Sequence, residues 1–123
     1  QQLSLVKQYI EKNYDSKIIA CKIIRDKNKV ALSSRNFLLN QNELVTAGKI
    51  AKKLISLKKK GSRKSPLKKI LNLQKDKFNR LYNVNVEYLE LRNKNNLKIT
   101  SKIRNAKIFI AYYINNVRLI DNF

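Results

Sequence analysis

The chain is 123 residues long, which is typical of one domain with a hydrophobic core, and 43% of its residues are hydrophobic. No uninterrupted apolar segment approaches the roughly 20 residues that a transmembrane helix needs. No signal peptide is visible either, so we expect a cytoplasmic protein without a membrane partner. The single cysteine, Cys21, excludes an internal disulfide, and its apolar neighbours predict a buried thiol. The absence of histidine excludes a histidine base, a histidine metal ligand and a serine–histidine triad within the chain.

The formal net charge is +20, because 28 lysines and arginines face only 8 aspartates and glutamates. Such an excess attracts polyanions, so a small basic nucleic-acid-binding domain is one reading of the sequence. The other reading is compositional. Most basic residues are lysines accompanied by many asparagines and isoleucines, which an A/T-rich coding sequence favours. Because the lysines are scattered along the chain, we expect incidental polyanion affinity at low salt and no specific nucleic-acid partner.

The first predicted elements are a helix and a strand. Apolar residues recur at helical spacing over residues 2–14, and the β-branched run at residues 17–24 predicts a buried strand. A helix followed by such a strand fits the closing unit of a parallel α/β sheet. The polar residues 26–29 then mark a domain boundary, which divides the chain into residues 1–26 and residues 27–123.

Two helices are predicted next. Segment 41–60 is amphipathic and begins with a capping box, in which Asn40 is the N-cap and Glu43 its reciprocal partner. Residues 61–66 are expected to hold the glycine that ends this helix and the serine and proline that begin the next. Asn83 should end the second helix. The inward stripe of the second helix is predicted to comprise Leu67, Ile70, Leu71, Gln74, Phe78 and Leu81.

The hydrophobic period changes from 3.6 to 2 after the second helix. Residues 84–92 alternate, with Val84, Val86 and Tyr88 on one face, and predict a strand. Residues 107–114 are apolar on both faces and predict a central strand. Asn115 and Asn116 suit a two-residue hairpin turn before a returning strand. The expected fold of this part is α+β, with two helices on a small, mainly antiparallel three-stranded sheet.

The most informative motif lies in segment 31–36. Ser33, Ser34, Arg35 and Asn36 bring together two hydroxyls, a guanidinium and a carboxamide, close before a helix start. Hydroxyls and backbone N–H groups can donate to phosphate oxygens, and an arginine can bind two oxygens at once. The same residues also suit an ordinary solvated turn, so the motif alone leaves both interpretations open.

The motif belongs to a larger pattern of four segments, which resembles the C-terminal part of the pantothenate synthetase (pantoate–β-alanine ligase) family in order and spacing. The segments are Gln1-Gln2-Leu3, Ala31 to Asn36, Tyr88-Leu89-Glu90-Leu91-Arg92 and Arg118-Leu119-Ile120-Asp121-Asn122. The chain contains no methionine and begins inside a predicted helix. Together with the resemblance, these features predict a fragment that lacks its N-terminal part.

The resemblance implies a fold and an activity. Residues 1–26 would close a Rossmann-like nucleotide-binding domain, and residues 27–123 would form the C-terminal domain that covers ATP. The implied enzyme is an AMP-forming ligase that joins pantoate to β-alanine through a pantoyl adenylate, on the pathway to coenzyme A. It uses ATP with Mg²⁺ as its substrate complex. The resemblance implies a homodimeric parent, and we expect the fragment alone to be monomeric and inactive.

The phosphate-binding residues follow from the same resemblance. Leu32, Ser33, Ser34 and Arg35 match the second ATP-binding signature of the family, which holds the triphosphate and the departing pyrophosphate. The last three of these residues would stabilise the charge of the transition state. No metal ligand is implied within the chain.

Two further contacts and two structural segments are implied. The backbone of Ile24 would meet the adenine, while its side chain is expected to serve the core. Gln2 would hydrogen-bond pantoate. Segments 88–92 and 118–122 are interpreted as strand ends and turn contacts, because the family's ligands are not assigned there.

The chain departs from the family pattern at two places. Asn28, Lys29 and Val30 stand where the family usually has Asp-Gly-Leu. Loss of the glycine is expected to stiffen the hinge, and Lys29 to add charge beside the phosphates. Asn93 replaces the usual aspartate after Arg92. We expect these departures to alter kinetics and to leave the phosphate ligands in place.

Overall fold

The structure is a computed structural model that describes residues 2–60 and 67–123; the predicted helix end and helix start at residues 61–66 lie outside the described residues. In these two ranges, no helix is long and apolar enough to cross a membrane. The elements are α1 (Gln2–Asn13), a short 3₁₀ helix (Ser34–Leu38), α2 (Gln41–Lys60), α3 (Leu67–Tyr82), β1 (Asn85–Asn93), β2 (Ala106–Ile114) and β3 (Val117–Asn122).

The three strands form one antiparallel sheet in the order β1-β2-β3, as the apolar pattern of the central strand predicted. Ile114 pairs with Val117, which leaves the predicted two-residue turn between them. Asn115 adopts a positive φ of 49°, a conformation that asparagine tolerates better than most residues. The predicted hairpin is therefore confirmed.

A β-bulge changes the inward face of β1. Val86 pairs with Tyr112, but the next pair joins Tyr88 to Ala111, so the register shifts between them. Leu89 and Leu91 are buried after the shift, whereas Tyr88 is only half-buried. The prediction that Tyr88 continues the face of Val86 was wrong, because one extra residue in a strand turns the following side chains over.

Helix α3 packs on β1 through a stripe that the sequence predicted at all but one position. Phe78 is 1% exposed and Gln74 is also buried, but Leu81 is 71% exposed and lies outside the stripe. The Asn79 side chain accepts a hydrogen bond from the Val86 backbone N–H (2.9 Å), which ties the helix to the sheet. The buried residues shared by α2, α3 and the sheet form one continuous core.

Helix α2 begins with the predicted capping box. The Asn40 backbone N–H donates to the Glu43 carboxylate (2.7 Å), and the Glu43 N–H donates to the Asn40 side chain (3.0 Å). Gly48 lies on the face toward the Asp26–Val30 turn, where a Cβ would come within 2.9 Å of the Asn28 Cβ and carbonyl oxygen. Only glycine therefore lets this turn approach the helix so closely.

The N-terminal region differs from the rest of the chain. Helix α1 is confirmed, but residues 17–24 form no strand, and Ile19 and Ile24 are 81% and 70% exposed. Cys21 is exposed as well. The predicted strand, the buried thiol and the core role of Ile24 were wrong for one reason. Strand propensity cannot replace a neighbouring strand, and the described residues provide none beside this segment.

Candidate functional site

A tight turn precedes the candidate phosphate loop. The Asp26 backbone N–H donates to the Val30 carbonyl (2.9 Å), and the Asp26 carboxylate accepts from the Val30 N–H (2.8 Å). Lys29, at the position where the family pattern has glycine, adopts a φ of 73°. A left-handed backbone costs a residue with a Cβ roughly 1–2 kcal/mol, whereas glycine adopts it freely. Lys29 therefore holds a backbone conformation in this turn that glycine would adopt more easily.

Arg25 connects this turn to the end of β3 through hydrogen bonds and an ion pair. Its guanidinium donates two hydrogen bonds to the Asp121 carboxylate (2.6 and 3.0 Å), one to the Lys29 carbonyl (2.9 Å) and one to the Asn122 carbonyl (3.1 Å). The same group lies 4.6 Å from the centre of the Phe123 ring. The Arg25 and Asp121 side chains are only 18% and 10% exposed, so water screens this pair weakly.

Sequence reasoning missed the Arg25 contact, although it placed Asp121 in a segment of structural strand-end contacts. The two residues are 96 positions apart, and no local pattern joins residues at that distance. The available signal was an arginine directly after an apolar run and a lone aspartate near the end of a predicted strand. Those two features suggest a partner for each residue but do not identify it.

The Ser-Ser-Arg-Asn motif begins the 3₁₀ helix. Ser33 is extended (φ −154°) and its hydroxyl accepts a hydrogen bond from the Arg35 backbone N–H (3.2 Å), so it acts as an N-cap. Ser34 and Arg35 are exposed, and the Arg35 guanidinium reaches the Arg118 carbonyl on β3 at 3.5 Å. The loop thus presents two hydroxyls and a guanidinium to solvent next to the sheet.

The side chain of Asn36 stabilises the loop through a hydrogen bond. Its side-chain amide donates to the Ala31 carbonyl (3.0 Å), which joins the two ends of the motif. Its side-chain oxygen is buried and has no hydrogen-bond partner in the described part of the chain.

Two clefts border the loop. The first, of about 250 Å³, lies between the loop and the sheet and is lined by Leu32, Ser33, Arg35, Asn36, Tyr112 and Asp121, among others. The second, of about 470 Å³, shares Ala31, Leu32, Ile120 and Asp121 with the first. Leu3, Ile23 and Arg118 also line it, so α1 and the segment before Arg25 both reach the same space.

The predicted site residues therefore fall into groups. Leu32, Ser33 and Arg35 line the first cleft, and Ser34 stands exposed between the latter two. Ile24 is exposed, its carbonyl accepts from the Leu32 N–H (3.0 Å), and its neighbour Ile23 lines the second cleft. Gln2 begins α1, but its side chain lies outside the described residues.

Two groups beside the clefts have shifted pKa values. The hydrogen bond from Arg118 to the Glu87 carboxylate (2.5 Å) raises the pKa of the guanidinium, which remains charged. Burial, with a smaller contribution from the Asp121 charge, raises the pKa of the Tyr112 phenol well above its usual value. Tyr112 is therefore a neutral hydroxyl at physiological pH, and it is suited to hydrogen bonding rather than to proton transfer.

The residues that the structure describes contain no group of three or more aspartate, glutamate or cysteine side chains that could hold a metal ion. The chemical resources of the loop are hydrogen-bond donors and positive charge. Such an arrangement binds an anion and stabilises charge that develops on it. The fold and the site thus define an α+β domain in which an exposed loop, suited by its chemistry to an anionic ligand, lies beside strand β3.

Comparison with known proteins identifies the family. All 123 residues match the family model described as "Pantoate-beta-alanine ligase", and the chain belongs to that family. It is 34% identical over 126 residues to the pantothenate synthetase of Flavobacterium psychrophilum, covering 99% of this chain and 44% of that protein. It is 37% identical over 134 residues to that of Wigglesworthia glossinidia brevipalpis, covering 99% and 45%.

Solved structures share the fold of the chain. The pantothenate synthetase of Thermus thermophilus matches the fold with a TM-score of 0.85 at 21% identity, over 99% of this chain and 45% of that one. The pantoate–β-alanine ligase of Francisella tularensis, described as complexed with "Beta-gamma ATP and Beta-alanine", matches with a TM-score of 0.71 at 30% identity, over 99% and 39%. The chain thus spans less than half the length of its relatives.

Proposed function

We propose that the chain forms the C-terminal part of a ligase that condenses pantoate with β-alanine at the expense of ATP. The observation that carries the proposal is the loop Ser33–Arg35, which lines a cleft beside the sheet in a member of this family. The description of the Francisella tularensis relative, bound to an ATP compound and β-alanine, supports the choice of substrates. ATP enters as its Mg²⁺ complex.

The proposed reaction has two steps. A carboxylate oxygen of pantoate attacks the α-phosphorus of ATP, the bond to the bridging oxygen of the β-phosphate breaks, and pyrophosphate leaves. The amine of β-alanine then attacks the acyl carbon of pantoyl adenylate, AMP leaves and the nitrogen loses a proton. Both nucleophiles belong to substrates, so the enzyme contributes position and charge stabilisation. Such a mechanism is compatible with a chain that contains no histidine, because it needs no histidine nucleophile or base from this chain.

The roles of the loop residues follow from their chemistry. The Ser33 and Ser34 hydroxyls would donate to phosphate oxygens, and the Arg35 guanidinium would bind the β- and γ-phosphates as negative charge moves onto them. Leu32 and the Ile24 backbone would border the adenosine, and Gln2 would hydrogen-bond pantoate. The Arg25 anchor would hold the loop at a fixed distance from the sheet.

The proposed domain division places residues 1–26 with a Rossmann-like nucleotide-binding domain and residues 27–123 in the domain that covers ATP. The exposed apolar side chains of α1 and residues 17–24 support this division, because they offer a surface for further chain to pack against. We expect the whole enzyme to be a homodimer and the 123-residue chain alone to be monomeric and without ligase activity.

The test is pantoate-dependent exchange of labelled pyrophosphate into ATP. The chain would be fused behind the N-terminal part of the Flavobacterium psychrophilum relative to restore the full length. We expect exchange that requires pantoate but not β-alanine, and a loss of at least about 100-fold in Arg35→Ala, as for removal of a donor from a charge-stabilising site.

The matched control is Arg104→Ala, which removes an exposed arginine that lines neither cleft. Its exchange rate should stay within about twofold of the unmodified fusion. The proposal would be rejected if a folded fusion that binds ATP showed no exchange. An equal loss in Arg35→Ala and Arg104→Ala would reject the assigned role of Arg35.

A further inference from the structure

A pocket distinct from the clefts beside Ser33 lies between the Asp26–Val30 turn and α2. Its volume is about 360 Å³, and it shares no lining residue with either cleft. Four of its residues lie on one face of α2, at positions 52, 55, 56 and 59, and the fifth comes from the turn. The lining residues are Lys29, Lys52, Ile55, Ser56 and Lys59.

Lys29 reaches this pocket with a backbone conformation that is unfavourable for a residue with a Cβ. Close approach of Asn28 to Gly48 holds the turn against α2, and Lys29 adopts its positive φ of 73° there. Glycine would take that conformation freely, whereas a residue with a Cβ adopts it at a cost in stability. Strained residues concentrate at functional sites, so a lysine at this position suggests that its charge is used.

The lining of the pocket is positively charged, and the carboxylate of Asp26 in the neighbouring turn accepts a hydrogen bond from the Val30 backbone N–H. Its three lysines are exposed, and none of them forms an ion pair among residues 2–60 and 67–123. No carboxylate lines it. The ion-paired acidic residues, Glu11, Glu87, Glu90 and Asp121, all pair with basic residues elsewhere. Like charges that line one pocket attract a counter-anion into the space between them.

We propose that this lysine pocket binds the phosphate groups of an oligoanion. Lysine ammonium groups bind phosphate as point charges, and the Ser56 hydroxyl can donate a further hydrogen bond. No aromatic side chain lines the pocket, so it offers no platform for base stacking and should ignore nucleotide sequence. The same phosphate chemistry could come from a single-stranded nucleic-acid backbone or from free polyphosphate.

The test compares two variants of equal net charge in the 123-residue chain. The first carries Lys52→Gln and Lys59→Gln in the pocket. The control carries Lys69→Gln and Lys77→Gln, two exposed lysines on α3 that do not line this pocket. Binding of a labelled oligothymidylate is measured by fluorescence anisotropy over a series of salt concentrations. Tripolyphosphate binding is measured separately by calorimetry.

We expect the pocket variant to bind one of the two probes about tenfold more weakly at low salt, and the control to stay close to wild type. If the probe is the oligothymidylate, loss of two phosphate contacts should also flatten the slope of log K against log salt by about 1.4. The probe that responds identifies the source of the phosphate. Equal weakening by both variants would overturn the proposal, because binding would then report net charge alone.

A third variant separates binding from folding. Lys29→Gly removes one pocket charge and also relieves the strained backbone, so it should weaken binding of the same probe while raising the unfolding temperature. Weaker binding by this variant cannot come from loss of structure. Unchanged binding of both probes in Lys29→Gly would contradict the inclusion of Lys29 in the site.

Discussion

The N-terminal region (α1 and residues 17–24) and the α+β body (α2, α3 and the sheet) contain similar apolar patterns. The apolar side chains are buried in the body and exposed in the N-terminal region. In the body, Ile50 and Leu54 of α2 are 1% and 0% exposed. In α1 and the following segment, Leu5, Tyr9 and Ile19 are 63%, 61% and 81% exposed. Periodicity determines which face of a helix is apolar, but burial requires a second surface to cover that face. The body supplies such surfaces to itself, whereas the described residues leave the apolar side chains of the N-terminal region uncovered.

The proposed phosphate loop lies where these two regions meet. Leu3 and Ile23 from the N-terminal side and Arg118 from the sheet line the same cleft. The Arg25–Asp121 pair fixes the connection between them.

The largest expected contrast between the regions comes from removing one leucine in each. Leu54→Ala should lower the free energy of unfolding by about 2–5 kcal/mol, because it leaves a cavity in the core between α2 and the sheet. Leu5→Ala removes the same atoms from an exposed position and should change stability by no more than about 0.5 kcal/mol. Urea denaturation of both variants measures the difference. Equal losses would mean that α1 is buried in solution.

A smaller contrast comes from the ion pairs. Asp121→Asn leaves the poorly hydrated Arg25 guanidinium without its carboxylate and should cost about 2–3 kcal/mol. The matched change, Glu11→Gln, breaks the exposed Lys7–Glu11 pair in α1 and should cost at most about 0.5 kcal/mol. Thermal unfolding of both variants tests the comparison. A loss in Asp121→Asn no larger than that in Glu11→Gln would show that the anchor does not stabilise the turn.

A third effect, small for each pH unit, is expected at alkaline pH and tests whether the Tyr112 side chain is buried. The folded state raises the pKa of Tyr112, so above about pH 10 the unfolded chain loses this proton while the folded chain keeps it. Stability should therefore fall as pH rises, with Tyr112 contributing about 1.4 kcal/mol per pH unit. Tyr112→Phe should reduce this slope in urea titrations between neutral and alkaline pH. An unchanged slope would contradict the burial of the phenol.

Structural features that depend on neighbouring residues were predictable from the sequence, whereas contacts between distant residues were not. The capping box of Asn40 and Glu43 and the hairpin turn at Asn115 depend on residues within four positions of each other, and both predictions were confirmed. The bulge after Val86 was missed because no proline or glycine marks it. The Arg25–Asp121 pair was missed because only the folded sheet brings its members together.

The candidate site shows the same division. Its loop was predicted from the residue types of a single segment and from the resemblance to the family, and its phosphate-binding role stays a prediction. Lys29 lies in a separate lysine pocket because Asn28 approaches Gly48 closely. No pattern in the sequence predicts that contact. The strand predicted at residues 17–24 failed because propensity says nothing about whether a neighbouring strand is present.

The central claim is that Ser33–Arg35 bind the triphosphate, and an ATP titration of the ¹⁵N-labelled chain followed by NMR tests it most directly. We predict weak binding, with chemical shift changes at the backbone amides of Ser33, Ser34 and Arg35 that disappear in Arg35→Ala. Chemical shift changes at amides of the lysine pocket are expected in addition to those of Ser33–Arg35. If ATP moved the amides of the lysine pocket and left those of Ser33–Arg35 unchanged, the loop would not be the phosphate site.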